Sequence, residues 1–341
     1  MTINYRNTLP PRIVSPVCSV DELENAVKMG GDEVYCGFIP QSIGELFGFD
    51  DMISRRQGQI ANITSTSVLE AVVAESSKLN TPIALTLNCQ YSRSLFPHIL
   101  SIAEFWAEAG GNAIILSDVA LLIALKRKSL PLEYHLSLMA NAFNTSTIEF
   151  YSELGIHRVV LPRELKYNEI SRMTALFPTI GFEAIVLHDR CPFIDGLCGF
   201  YHSTSYTPGT ITSAPWTLSI ETKKKCVYAN NLSYAGHGCY LLRNSGRHIQ
   251  YIQEEPNHLL PECAACQLPI LMDAGVRFLK IAGRGLPSPY KAKSVNFIRK
   301  AADIWLENTV SKKKKNRIMN LYFYMFGQRC LENQCYYHKG A

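Results

Sequence analysis

Eight short apolar runs recur along the 341-residue chain, and amphipathic segments separate most neighbouring pairs. The runs are RIVSPV (12–17), DEVYCGF (32–38), PIALTLN (82–88), AIILSD (113–118), YHLSLMA (134–140), RVVLPREL (158–165), FEAIVLH (182–188) and RFLKIAGR (277–284). Between them lie segments of helical period such as VDELENAVKMG, SVLEAVVAESSKLN, HILSIAEFWAEAG and TSTIEFYSELG. Several end at Gly or Asn just before the next run, as helix stop signals do. Strands that alternate with helices need crossover connections and make a parallel sheet. Eight of them are what a closed β/α barrel of the TIM type requires, and an open doubly wound sheet is the structural alternative.

Size and composition fit one barrel domain, expected over residues 1–308. The remainder, 309–341, reads as a basic linker built on KKKK (312–315) followed by an apolar, aromatic tail, IMNLYFYMF, expected to add a strand or helix to the barrel. The formal charge is +5, from 34 basic and 29 acidic residues. That balance permits an anionic small-molecule substrate or RNA and argues for neither. The first residues lack the apolar core of an export signal, and no apolar run of about 18 residues reads as a transmembrane segment. A cytoplasmic location is therefore expected, where thiols stay reduced and clustered cysteines serve as metal ligands more often than as disulfides.

In a barrel the carboxyl ends of the strands and the loops after them form the active face. The polar residues there are Asn88, Ser117, Asp118, Asn141, Arg163, Glu164, His188 and Arg284. Asp118 reads better as a helix cap than as a catalyst. Glu164 and His188 are the candidates for proton transfer. Arg163, Lys280 and Arg284 are the candidates for holding an anionic substrate by charge-assisted hydrogen bonds, with Asn88 and Asn141 beside them.

Six of the eleven cysteines crowd residues 191–266: Cys191 and Cys198 in CPFIDGLC, then Cys226, Cys239, and the CAAC pair Cys263 and Cys266. The stretch 189–262 is too long for an ordinary connection, and such loops in compact domains are usually functional. With the CAAC it reads as a cysteine-rich lid, 189–266, inserted between the last two strands. Four thiolates suit a 4Fe-4S cluster. Zinc is the rival, since Cys-x-x-Cys pairs also build tetrahedral zinc sites. A buried, inert thiol is the default for Cys18, Cys36 and Cys89, with Cys36 the one placed to depart from it. Cys330 and Cys335 have a spacing that can hold a metal, but they read first as free terminal thiols.

Several stretches together resemble the collagenase-like peptidase family designated U-32. VCSVDELENAVKMGGDEVYCGF is similar to its opening, NAFNTSTIEFYSELGIHRVVLPRELKYNEI to its central block, CPFIDGLC to its cysteine signature and GVRFLKIAGRG to its final strand. The resemblance covers roughly residues 12–308 and leaves the tail outside. It implies an iron–sulfur protein of the branch that hydroxylates without molecular oxygen. Substrates in that branch are ubiquinone precursors, transfer-RNA uridine and ribosomal-RNA cytidine, with prephenate implicated as the oxygen source. By position it implies Cys191 and Cys198 as the first two ligands. Cys239 is the third, with Cys226 competing, and Cys263 or Cys266 is the fourth. Some members pair with a related chain. Two alternatives stand beside the hydroxylase: a peptidase, and a non-catalytic iron–sulfur partner subunit. The chain departs from the family where Lys-Ile-Glu-Gly-Arg becomes Lys280-Ile281-Ala282-Gly283-Arg284. It departs again where the CAAC stands at a place that many members leave without cysteines.

Overall fold

A computed structural model describes residues 10–47, 53–56, 59–188, 195–196, 263–307, 310–327 and 335–337. Eight parallel strands close into a barrel in sequence order: β1 (Arg12–Pro16), β2 (Glu33–Cys36), β3 (Ile83–Leu87), β4 (Ala113–Leu116), β5 (Glu133–Leu136), β6 (Arg158–Val160), β7 (Gly181–Leu187) and β8 (Phe278–Ile281). Each falls on one of the apolar runs, with β5 and β7 starting one residue before theirs. The closing seam pairs β1 with β8, Ile13 opposite Leu279.

Helices on the outside complete the βα units: α1 (Val20–Lys28), α2 (Gln41–Phe47), α3 (Thr66–Lys78), α4 (Phe96–Glu108), α5 (Val119–Lys128), α6 (Thr145–Glu153), α7 (Tyr167–Leu176), α8 (Leu268–Asp273) and α9 (Ser288–Leu306). Their starts follow capping chemistry. Ser19 accepts from the Glu22 N–H at the head of α1, and Asn144 accepts from the Thr147 N–H at the head of α6. Asp118 accepts from the N–H groups of Ala120 and Leu121, and it also takes the Tyr91 N–H across the rim. Its role as a cap is direct.

Strand alternation sorts the core into two parts. Ile83, Leu85 and Leu87 of β3 face the helices, as do Ile114 and Leu116 of β4. Val14, Tyr35, Ala84, Ala113 and Ile115 form a separate small cluster inside the barrel, with Phe278 packed against it. The rest of the interior is ionic. Arg158 donates to both oxygens of Glu33, at 2.7 and 3.1 Å, and to Glu183 at 3.0 Å. Lys280 donates to the other Glu183 oxygen at 2.7 Å. Arg158 lies over the Phe278 ring and Lys280 over the Tyr35 ring. Burial alone would raise the Glu183 carboxyl, but Lys280 and Arg158 hold it down, to about 2.

The basic run is not a linker. It opens a further helix, α10 (Ser311–Phe326), that packs along α9. Lys314 turns inward and donates its ammonium to the Trp305 carbonyl at 2.7 Å, while Tyr322 and Phe326 pack on Phe297. The tail then returns to the barrel, where residues 335–337 lie beside β7. Among the described residues, no helix is long and apolar enough to cross a membrane.

Candidate active site at the barrel mouth

Two groups of polar side chains occupy the carboxyl ends of the strands. The first follows β5, β6 and β7. Arg163, on the turn after β6, donates from Nε to Asp195 Oδ2 at 2.9 Å and from Nη2 to Oδ1, and its backbone N–H joins at 2.9 Å. Glu164 accepts the Asp195 N–H at 3.0 Å. Burial and the Asp195 charge raise the Glu164 carboxyl above its ordinary value. Gly196 takes a left-handed φ of 80°, and a Cβ there would overlap Asn141 Oδ1. Asn141 is itself left-handed at φ 57°, and its Oδ1 is buried with no hydrogen-bond partner among the described residues. Asp195 and Gly196 are the centre of CPFIDGLC, four residues after Cys191 and two before Cys198. Arg163 and Glu164 therefore grip the middle of the cysteine loop.

At the end of β7, Leu187 bridges antiparallel to Cys263, and Cys263 bridges parallel to Cys335. The Tyr336 N–H donates to the Cys263 carbonyl at 3.0 Å. Cys266 follows on the 3-10 turn Ala265–Gln267 that leads into α8. Burial, then the nearby Cys335, pushes its thiol up to about 11. The CAAC pair and Cys335 thus belong to one neighbourhood, which the reading of Cys335 as a free terminal thiol did not expect. Cys191, Cys198, Cys226 and Cys239 lie outside the described residues. Among the described residues, no three Cys, His, Asp or Glu side chains come together as a metal site. Cys263 and Cys266 offer a thiol donor set at the strand end that feeds the cysteine loop. That chemistry suits a soft metal or an iron–sulfur cluster.

His188, at φ 64°, turns the chain out of β7. Its Nε2 is 2.7 Å from the Ser294 hydroxyl of α9, its ring lies against Tyr290, and its carbonyl accepts from the Tyr336 hydroxyl. The imidazole is thus placed between β7 and α9. Lys280 is inside the barrel on Glu183, below the rim.

The second group follows β8, β2 and β3. Arg284 is 3% exposed and donates to Ser54 Oγ at 2.7 Å and Asn62 Oδ1 at 3.0 Å. Gly37 makes room for it, since a Cβ there would overlap its Nη1. Burial lowers the guanidinium's proton affinity, and the acidic groups that raise it back are Tyr35, Cys18 and Cys36. No carboxylate pairs with Arg284 among the described residues. Asn88 accepts from the Arg55 N–H at 3.0 Å and so pins the segment that carries Ser54. Cys36 is fully buried on the helix side of β2, and burial raises its thiol far above the ordinary range. It keeps the inert role.

With this geometry in hand, the sequence profile of peptidase family U32 matches residues 18–337. The chain belongs to peptidase family U32. The match runs beyond α9 to the returning tail, so α10 and Cys335 fall inside the family region and not outside it. A tRNA hydroxylation protein P of Escherichia coli is 24% identical over 324 residues, covering 86% of this chain and 68% of that protein. The protein of the same name in Haemophilus influenzae is 26% identical, covering 62% of this chain and 44% of its own length. A 23S rRNA 5-hydroxycytidine C2501 synthase of E. coli is 26% identical, covering 86% of this chain and 40% of that protein. The U32 chain thus spans between two fifths and about two thirds of the length of these relatives.

Proposed function

We propose that this U32 protein is an iron–sulfur enzyme that hydroxylates a base in RNA without molecular oxygen, holding an anionic co-substrate at Arg284. The observation that carries the reading is the pairing, on one barrel mouth, of a thiol neighbourhood at the end of β7 with a buried guanidinium that meets no carboxylate among the described residues. A desolvated cation of this kind costs free energy unless an anion completes it. The names of the relatives supply the RNA class and the hydroxylation chemistry.

Cys191, Cys198 and Cys263 or Cys266 would hold a 4Fe-4S cluster, with Cys239 or Cys226 completing the set. Such a cluster supplies electron transfer or an open iron position when bound. Arg163 and Glu164 hold Asp195, and through it the loop between two of the thiols. Arg284, steadied by Ser54 and Asn62 and shielded from water, orients an anionic group. Asn141 offers a carbonyl oxygen to a donor on the substrate. The peptidase reading gains nothing here, because His188 is engaged with Ser294 rather than poised over the mouth.

Anaerobic purification should give a brown protein with iron and sulfide in equal amounts. Deleting the gene should remove one hydroxylated pyrimidine from total RNA digests analysed by mass spectrometry. Stoichiometric zinc in place of iron, or an unchanged nucleoside profile, overturns the proposal.

A further inference from the structure

The outward face of α10 has no partner within the described residues, and its sequence is unusual for a helix. Lys312, Lys313 and Lys315 are exposed in its first turns, and none pairs with a carboxylate among the described residues. Lysines there face the positive end of the helix dipole and one another, so they cost helix stability. The helix offsets none of it: SKKKKNRIMNLYFYMF contains no acid, and Val310 caps its start without a side-chain acceptor. At 3.6 residues per turn, Lys312, Lys313, Asn316, Asn320, Phe323 and Tyr324 fall on one stripe, opposite the buried Lys314, Ile318 and Tyr322. Phe323 is 53% exposed and Tyr324 87% exposed at its far end. That end points to the mouth: Phe326 packs on Tyr290, whose ring lies against His188 at the end of β7.

We infer that α10 is a docking surface for single-stranded RNA, its lysines tracking phosphates and Phe323 and Tyr324 stacking bases beside the barrel mouth. Cations in a row with aromatic rings at one end are the combination that binds a single strand regardless of sequence. An anionic membrane surface would need an apolar stripe along the helix. Here the middle of the stripe is Asn316 and Asn320, and the apolar face is already spent on α9. The inference rests on the RNA reading above and names the surface that reading needs.

The test uses the full chain, purified anaerobically, and fluorescence anisotropy with a fluorescent single-stranded oligoribonucleotide across a salt series. Lys312→Glu with Lys313→Glu should weaken binding at least about tenfold at low salt, and should reduce the log–log salt slope by about 1.4, at about 0.7 per lost phosphate contact. Tyr324→Ala should weaken binding about tenfold with an unchanged salt slope, as loss of one stacked base predicts. Thermal unfolding followed by circular dichroism should coincide for Tyr324→Ala and the unaltered protein, and the double glutamate variant should be at least as stable, since acids in the first turn suit the helix dipole. Failure of the unaltered protein to bind RNA overturns the RNA reading itself. Tight binding that both variants share overturns the α10 surface and leaves the RNA reading standing. Preferential sedimentation with phosphatidylserine vesicles assigns the helix to membranes and overturns the inference.

Discussion

The two ends of the barrel treat buried charge in opposite ways. In the lower interior, Arg158 and Lys280 share Glu33 and Glu183, and every cation has a carboxylate within 3.1 Å. At the mouth, Arg284 is as deeply buried, but among the described residues its guanidinium meets a hydroxyl and an amide and no carboxylate. Arg163 stands between these cases: it is at the rim, yet Asp195 neutralises it. A chain able to complete one guanidinium with two glutamates offers another no acid among the described residues where ligands enter. Ala282 extends the contrast, because it stands two residues before Arg284 where the resemblance to the family implies a glutamate. A lower end complete in itself supports the fold, and an incomplete upper end supports binding.

The strongest way to break the comparison is to make the lower end incomplete too. Glu183→Ala leaves Lys280 buried without its acid, and removing one partner of a buried pair costs about 3–5 kcal/mol. Urea denaturation should show that loss, and an unchanged midpoint would mean the network is ornamental. The same carboxyl makes an acid-side prediction. Its folded value is held below the ordinary 4.5, to about 2, so its contribution is complete above 4.5 and is lost as pH falls through 2. Unfolding free energy measured from pH 6 down to pH 2 should decline in that window. Glu183→Gln should flatten the decline.

Next in size is the grip on the cysteine loop. Asp195→Asn removes the charge that Arg163 chelates, and hydrogen bonds to charged groups are worth about 1.5–3 kcal/mol. Stability should fall by about 2 kcal/mol. Iron per chain after anaerobic reconstitution should fall further than that loss explains, with an altered electron paramagnetic resonance signal. Full iron loading with an unaltered signal would make the grip purely structural.

Much of this fold was legible because barrel strands are buried on both faces and so read as continuous apolar runs. All eight runs became strands, and Asp118 became the cap that its position before VALLIALKRK implies. The ion network was harder to see. Glu33, Arg158 and Glu183 are single charges inside apolar runs, and only strand alternation turned inward tells which way they point. Lys280 was read with Arg284 as holding an anionic substrate, but it lies two turns of the pleat earlier and points inward onto Glu183. Arg163 and Glu164 were rightly placed at the mouth, but their partner, Asp195, is thirty residues away in a loop without period. KKKK read most simply as a solvated linker, and a helix opening on four lysines runs against the dipole rule. The structure shows that helix all the same, anchored by Lys314 on Trp305.

The smallest change in stability should come from the residue that matters most to the proposed chemistry. Arg284→Met removes a desolvated charge whose burial is costly and keeps most of the side-chain volume. Ser54 retains the Thr86 hydroxyl at 3.2 Å, and Asn62 retains the Arg56 carbonyl at 2.8 Å, so neither is left wholly unpaired. The net change should stay within about 1 kcal/mol, in contrast to Glu183→Ala. A small dicarboxylate should stabilise the unaltered protein against heat, by about 2.7 kcal/mol at one hundred times its dissociation constant. Arg284→Met should lose that response. Gly37→Ala keeps the guanidinium but fills the space its Nη1 occupies, and it should lose the response as well. If Arg284→Met instead unfolds the protein as Glu183→Ala does, the mouth arginine is a structural ion like Arg158, and the two ends of the barrel are alike after all.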